Sequence, residues 1–362
     1  MKKIIFSFPN IAALLVAGAA LVACSEKNLN VVEEIPEFTY SVSVDAIKGE
    51  GADTVASTRA LTLEGSTLSA GWLTTENVYV KKGSEWASEG TLKPQANGTS
   101  AILKGSVTVT GSPIVATDEL FLQFPKSGEP DYAGQKGTIA DIAANFDYAT
   151  ATVTVDEVNG ETGILTTTAA NFVNQQAIVE FVLTNRSTDA NLNVETLTIT
   201  AGGNEITVGP DSATNDLYVA IPGFSGGAFD LSANDGSNDY YFSTASFPYT
   251  LANGSFYQLP VKLRPVPQIR LTSSASVSLT KQSHSNQTIT YNVVNPKDGD
   301  NVTTSAISYS GDGSGWITIS GTTNTTLTYG VDQYKGNTSR TGVITLNYPH
   351  AASVQVTITQ AK

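Results

Sequence analysis

The chain has 362 residues, of which 40% are hydrophobic and 15% charged, and its formal net charge is −13. That length predicts two or three domains, each able to bury a core, and the apolar share is too high and the charge too low for a disordered chain. The acidic balance repels phosphate and argues against nucleic acid as a partner.

Lys2 and Lys3 open the chain, and an apolar run of small and branched residues follows from Ile11 to Ala23. This run is too short to span about 30 Å of hydrocarbon, which needs roughly 20 residues. A charged start, a medium apolar core and small residues at its end read as a signal peptide over residues 1–23. Leu21-Val22-Ala23-Cys24 at its end resembles the bacterial lipobox. The resemblance implies diacylglycerol on the Cys24 sulfur, cleavage before it, and acylation of the freed amine. Two or more chains give stable anchoring where one gives only marginal binding. Ser25 in place of Asp at the next position implies the outer membrane by the same resemblance, and Glu26-Lys27 faintly echoes a surface-export signal. Cys24 is the only cysteine, so the mature chain has no internal disulfide and depends on burial and strand pairing. Residues 24–37 read as a polar, acidic tether.

From Phe38 the pattern alternates, with Phe38, Tyr40, Val42 and Val44 apolar and Thr39, Ser41 and Ser43 between them. Period two marks a half-buried strand. A Gly/Asp/Ser-rich stretch from Lys48 to Thr58 follows. Further strands are predicted at Asn77–Lys81, Ile102–Val109, Leu120–Phe124 and Ala151–Val158, with one short helix from Thr138 to Ala144. A second group covers Gln176–Leu183, Val194–Thr200, Glu205–Val208, Leu217–Ile221, Tyr240–Ser243 and Phe256–Leu263. Gly202-Gly203 and Asn253-Gly254 are its hairpin signals. Arg264-Pro265-Val266-Pro267 reads as a semi-rigid linker. A third group runs from Ile269 to a last strand at Ser353–Thr359. Many short strands at this spacing predict an all-β chain of tandem β-sandwiches.

Chemistry-bearing residues are few. His284 is expected in a Ser/Asn/Gln-rich loop and His350 in a turn, and no G-x-S-x-G elbow accompanies them. Two histidines and one lipidated cysteine do not supply the usual zinc donors. The Asp/Gly runs at Asn234-Asp235-Gly236, Asp298-Gly299-Asp300 and Asp312-Gly313 lack EF-hand spacing and read as turns. Trp72, Trp86 and Trp316 are either sandwich core or sugar-stacking platforms, and Trp316 is the candidate glycan contact. No catalytic residue, metal or cofactor is expected, and the chain reads as a binding protein rather than an enzyme.

Two resemblances refine this reading. Thr58-Arg59-Ala60 after the first strand, Gly71-Trp72, Val78-Tyr79-Val80, the segment Tyr132 to Thr138 and Asp147-Tyr148-Ala149-Thr150-Ala151 occur in the order seen in the fimbrillin-like lipoproteins of Bacteroidetes. Residues 38–263 resemble that family. It implies two transthyretin-like β-sandwiches, over 38–170 and 171–263, and a role as stalk, tip or anchor subunit of a pilus. It also implies proteolytic processing after Arg59, which would release the first strand. Trp316-Ile317-Thr318, Asn337, Arg340-Thr341-Gly342-Val343-Ile344 and a final strand ending at Gln360 resemble a BACON domain, an immunoglobulin-like module. That places a third sandwich at 269–362 behind a linker at 264–268. A chain that continues past the second sandwich departs from the stalk layout and favours a tip, an anchor or a stand-alone adhesin. The implied partners are the outer membrane through Cys24 and other pilus subunits, with a glycan or protein ligand at the cell surface. The alternative function is a glycan-binding lipoprotein of a polysaccharide-uptake system.

Overall fold

The computed structural model describes residues 35–48, 61–64 and 67–362. Among the described residues the regular structure is nearly all β, with little helix. Its contacts divide it into two compact units. One comprises the described residues up to 182 together with 195–229 and 244–260; the other comprises 183–194, 230–243 and 261–362.

The first unit begins with strands β1 (Glu37–Lys48), β2 (Leu61–Glu64), β3 (Thr67–Ala70), β4 (Val78–Lys82), β5 (Glu85–Pro94), β6 (Ser100–Thr110) and β7 (Glu119–Phe124). A helical turn α1 (Ile139–Asp141) widens into a π-type turn over Ile142–Phe146 before β8 (Ala149–Asn159), β9 (Ile164–Thr167) and β10 (Ala170–Asn174). Eight of these strands form one sheet in the order β10-β1-β6-β5-β4-β7-β8-β9, which closes on itself through β1–β9 and β10–β8 pairs. Strand β1 sits within this closure. It runs antiparallel to β6 from Glu37↔Thr110 to Ile47↔Ser100, and parallel to β9 at Ser41↔Ile164 and to β10 at Ala46↔Ala170. The period-two pattern explains its place: Tyr40, Val42, Val44 and Ala46 all point inward, while the residues between them are exposed. They meet Leu103, Leu120, Leu122, Val153 and Leu165 in one core.

The next seven strands are β11 (Gln176–Asn185), β12 (Thr196–Ala201), β13 (Asn204–Val208), β14 (Asp216–Pro222), β15 (Phe229–Asn234), β16 (Asp239–Thr244) and β17 (Phe256–Pro265). Within the first unit, β11 pairs antiparallel with β14 from Gln176↔Pro222 to Val182↔Asp216. Strands β12 and β13 form the hairpin that Gly202-Gly203 signals: both glycines have positive φ, 59° and 86°, as a two-residue turn between twisted strands requires. Phe224, Phe229 and Phe247 pack together here, with Phe229 and Phe247 stacked at 4.3 Å.

In the second unit β16 meets β17 at Tyr240↔Pro265 and Tyr241↔Arg264. The remaining strands are β18 (Gln268–Leu271), β19 (Ser276–Leu279), β20 (His284–Val294), β21 (Thr303–Thr304), β22 (Ser308–Ser310), β23 (Ile317–Thr322), β24 (Thr326–Val331), β25 (Arg340–Asn347) and β26 (Val354–Gln360). They make a four-stranded sheet β18-β20-β24-β23 and a five-stranded sheet in which β19-β26-β25-β21 run in order and β22 pairs with β25. Ile289, Tyr291, Leu327 and Tyr329 of the first sheet pack with Ile344, Leu346, Val356 and Ile358 of the second.

Several local expectations change. Arg264 and Pro265 end strand β17 rather than forming a linker, so only Val266-Pro267 separates β17 from β18. A strand end tolerates the proline because few ladder donors are needed there. The helix at 138–144 shortens to one turn that then widens, although Thr138 caps it as read, accepting from the Asp141 N–H at 3.1 Å. Strands β2, β3, β5, β9, β10 and β15 are additions to the expected set, although β15 alternates, with Phe229, Leu231 and Ala233 buried and Asp230, Ser232 and Asn234 between them. Strand β5 (EWASEGTLKP) forms because β4 and β6 pair on either side of it. His284 is the first residue of β20 rather than a loop residue.

Candidate functional site

The alternation along β1 places one charged residue among its inward positions. After Tyr40, Val42, Val44 and Ala46 the next is Lys48, whose side chain is fully buried. Its Nζ lies 2.8 Å from Asp147 Oδ2 and 3.4 Å from Glu76 Oε1, and those side chains are 1% and 9% exposed. Aromatic rings form the wall, with the Phe124 centroid 4.3 Å and the Trp72 centroid 5.0 Å from Nζ. Trp72 is held edge-on to Phe172 at 4.8 Å and bridged to Gly98 through its backbone.

Each partner has a local reason for its position. Glu76 closes a turn after Trp72, accepting the Leu73 N–H at 3.1 Å while its own N–H donates to the Leu73 carbonyl. Asp147 leaves the π-type turn in an extended conformation, directly after buried Phe146. Burial raises the Glu76 carboxyl above its ordinary range, and the neighbouring Lys48 opposes that rise. Asp147 Oδ1 is buried without a hydrogen-bond partner among the described residues. Sequence reading did not single out this cluster. A lysine in phase with an apolar strand face was the available signal.

The residues singled out in the sequence fall elsewhere. Cys24 and Arg59 lie outside the described residues. Trp316 is 3% exposed and is part of the core, so it offers no open ring face to a sugar. The Arg340 guanidinium lies over its ring at 4.4 Å and over Tyr334 at 4.5 Å. Arg340 also donates twice to Gln360 Oε1, at 2.9 and 2.7 Å, and once to the Asp332 carbonyl. Gln360 in turn donates to the carbonyls of Gln282 and Asp332. In two of the Asp/Gly runs the carboxylates are taken up by hydrogen bonds: Asp235 accepts the Ser237 and Asn238 N–H groups and the Tyr240 hydroxyl, and Asp312 accepts the Tyr334 hydroxyl.

Surface recesses occur in both units among the described residues. In the first unit, Trp86 and Tyr79 meet edge to face at 6.3 Å, with Lys81 Nζ 4.1 Å from the Trp86 centroid. Tyr79, Trp86, Ser88, Thr91 and Lys126 line a groove of about 430 Å³. Lys81 and Trp86 face each other across the β4–β5 hairpin, so their separation in sequence is a readable signal. In the second unit, Arg186, Lys262, Arg264, Lys297 and His350 line a recess of about 320 Å³. His350 stacks on Tyr241 there at 4.1 Å. Lys262 and Arg264 share β17, but Arg186, Lys297 and His350 come from other segments, so the recess carries no joint sequence signal.

Comparison with known proteins gives one family match, covering residues 304–361: BACON, described as "Putative binding domain, N-terminal". None of the curated proteins matches the chain. Similar solved structures include a fimbrial protein from Bacteroides ovatus, at 9% identity and a TM-score of 0.30, covering 62% of this chain and 49% of that one. Cell adhesion proteins described as putative, from Bacteroides uniformis and Bacteroides fragilis, are similar at 12% and 11% identity with TM-scores of 0.32 and 0.33. Each covers 61% of this chain, and the shares of their own chains are 94% and 92%. The chain thus spans about half the length of the Bacteroides ovatus protein. These scores carry no functional argument, whereas residues 304–361 are similar in sequence to the BACON family.

Proposed function

We propose that this chain is an outer-membrane lipoprotein of the fimbrillin-like kind, lipid-anchored at Cys24, that works by binding and assembly. It acts as a tip or anchor subunit of a pilus or as an adhesin, with sandwiches at 38–170, 171–263 and 269–362. The observation that carries this reading is β1. It has one apolar face, is paired on both edges, and ends on a buried cation. Its loss would expose an apolar groove suited to strand addition from another subunit. Lys48 opposes that loss, because removing it leaves two buried carboxylates without their cation, a change that is strongly destabilising. The chain therefore keeps β1, as a tip, an anchor or an adhesin would, and engages other subunits at strand edges.

Light trypsin treatment of the purified protein tests this. Cutting after Arg59 is expected to leave the β1 fragment attached under native conditions and the protein monomeric. A ladder of oligomers after that cut would make it a polymerising stalk subunit instead. The Trp86 groove supports a second reading, glycan binding, because a half-buried tryptophan beside a tyrosine and two lysines can stack a sugar and hold an anionic group. Titration of anionic and neutral polysaccharides against the protein and its Trp86→Ala variant decides this, and equal binding by both proteins would rule the groove out.

A further inference from the structure

We infer that Lys48 and Asp147 become joined by an amide bond between Nζ and Cγ, with Glu76 carrying the proton, so that β1 is covalently stapled into the first sheet. This goes beyond the pilus or adhesin reading and does not depend on it. An amine, a carboxyl group and a second carboxyl group meet in one buried site at 2.8 and 3.4 Å. The rings of Trp72 and Phe124 wall them off from water. Such fixed proximity raises the effective concentration of reactants enormously, and a slow condensation need occur only once in the life of the molecule. Asp147 Oδ1, the oxygen the amide would keep, has no partner among the described residues, and an unpartnered buried oxygen costs less on a neutral amide than on a carboxylate. Converting an ion pair to an amide also removes two charges from the core.

The chemistry balances without an oxidant, a metal or a cofactor. One proton passes from Nζ to Oδ2 across the 2.8 Å contact, which gives a neutral amine and a carboxylic acid. The Nζ lone pair attacks Cγ. Glu76 takes a proton from the nitrogen and delivers it to the departing Oδ2 hydroxyl, which leaves as water. The Cγ–Nζ bond forms, the Cγ–Oδ2 bond breaks, and Glu76 is regenerated. The remaining amide N–H faces Glu76 Oε1. Burial keeps the Glu76 carboxyl able to hold a proton, as this relay needs.

The staple has a mechanical consequence. A pull entering through Glu37 loads β1 in shear against β6. With the bond in place the load passes from Lys48 directly to Asp147, and β1 cannot slide out even if the chain is cut between β1 and β2.

Denaturing digestion of the purified full chain with trypsin, followed by mass spectrometry, tests the inference. The expected product is a branched species in which residues 28–59 are joined to 137–186. Its mass is that of the two peptides less one water, and no cleavage occurs after Lys48. Asp147→Ala should restore cleavage after Lys48 and release residues 28–48, 49–59 and 137–186 as separate peptides. Glu76→Gln, which preserves size, should slow linkage about a hundredfold in protein that still melts cooperatively. Wild-type protein that yields a peptide ending at Lys48 and an unmodified 137–186 peptide overturns the bond and leaves only an ion pair. Linkage at the wild-type rate in Glu76→Gln overturns the role of Glu76. Release of β1 from the cut wild-type protein would overturn the bond too, whereas oligomer formation with β1 still attached would bear on the functional reading and not on this bond.

Discussion

At the scale of single residues, the third group of strands shows why its short motifs take the form they do. Trp316, Arg340 and Gln360 are far apart in the chain, yet one guanidinium packs on the indole and binds the glutamine. Arginine suits this place because a planar fork can stack and make directed bonds together, which a lysine cannot. Gly342 follows from the same packing. A Cβ there would run into Ile317 Cδ1 and come within 3.3 Å of Trp316 Cζ2 and 3.4 Å of Tyr309 Cδ1. We expect Gly342→Ala to destabilise the chain by about 1–3 kcal/mol through overpacking, read as a lower denaturation midpoint for the transition that buries Trp316. An unchanged midpoint would mean that the Ile317 side chain has room to move. The arginine and the glycine were legible in sequence as a motif. That Trp316 is interior rather than a sugar platform was not, since a lone tryptophan serves either purpose.

At the scale of elements, the loop from Tyr132 to Thr138 is the clearest case of a motif whose purpose lies in tertiary contact. Gln135 is fully buried; its Nε2 donates to the carbonyls of Tyr132 and Ala220, and its Oε1 accepts the Ala220 N–H. The side chain thus imitates a strand neighbour for β14. Its backbone N–H donates to the Thr207 carbonyl, and its carbonyl accepts the Gly209 N–H. Replacing Gln135 with Leu leaves a buried N–H and C=O of Ala220 unpaired, which should cost about 2–4 kcal/mol. Urea unfolding of the first unit would measure it, and faster amide exchange at Ala220 is the accompanying sign. A loss below about 0.5 kcal/mol, ordinary for a surface change, would contradict this role. Strands with clean alternation, such as β1 and β8, were predictable because one face is buried and the other wet. Strand β5 was not, because its neighbours impose its conformation.

At the scale of the whole molecule, the anchor and the β-layers are separate matters. The proposed attachment rests on Cys24 at the end of an apolar run, outside the described residues. Cys24→Ala should abolish lipid incorporation and leave full-length precursor, assayed by labelled-palmitate incorporation and detergent partition in a bacterial host. Processed, detergent-phase protein from that variant would refute the anchor.

The sequence alone determined the all-β class, the phase of the alternating strands, the Gly202-Gly203 hairpin and the BACON-like motif. These depend on local period, turn stereochemistry and short residue spacings, all written along the chain. Only the tertiary structure decided that β1 lies within a closed sheet, that Trp316 is covered, and that Lys48 meets Asp147 and Glu76. Each of those facts depends on which distant residues share a buried volume. Once inside, a charge must find its partners from whatever segments the fold brings there.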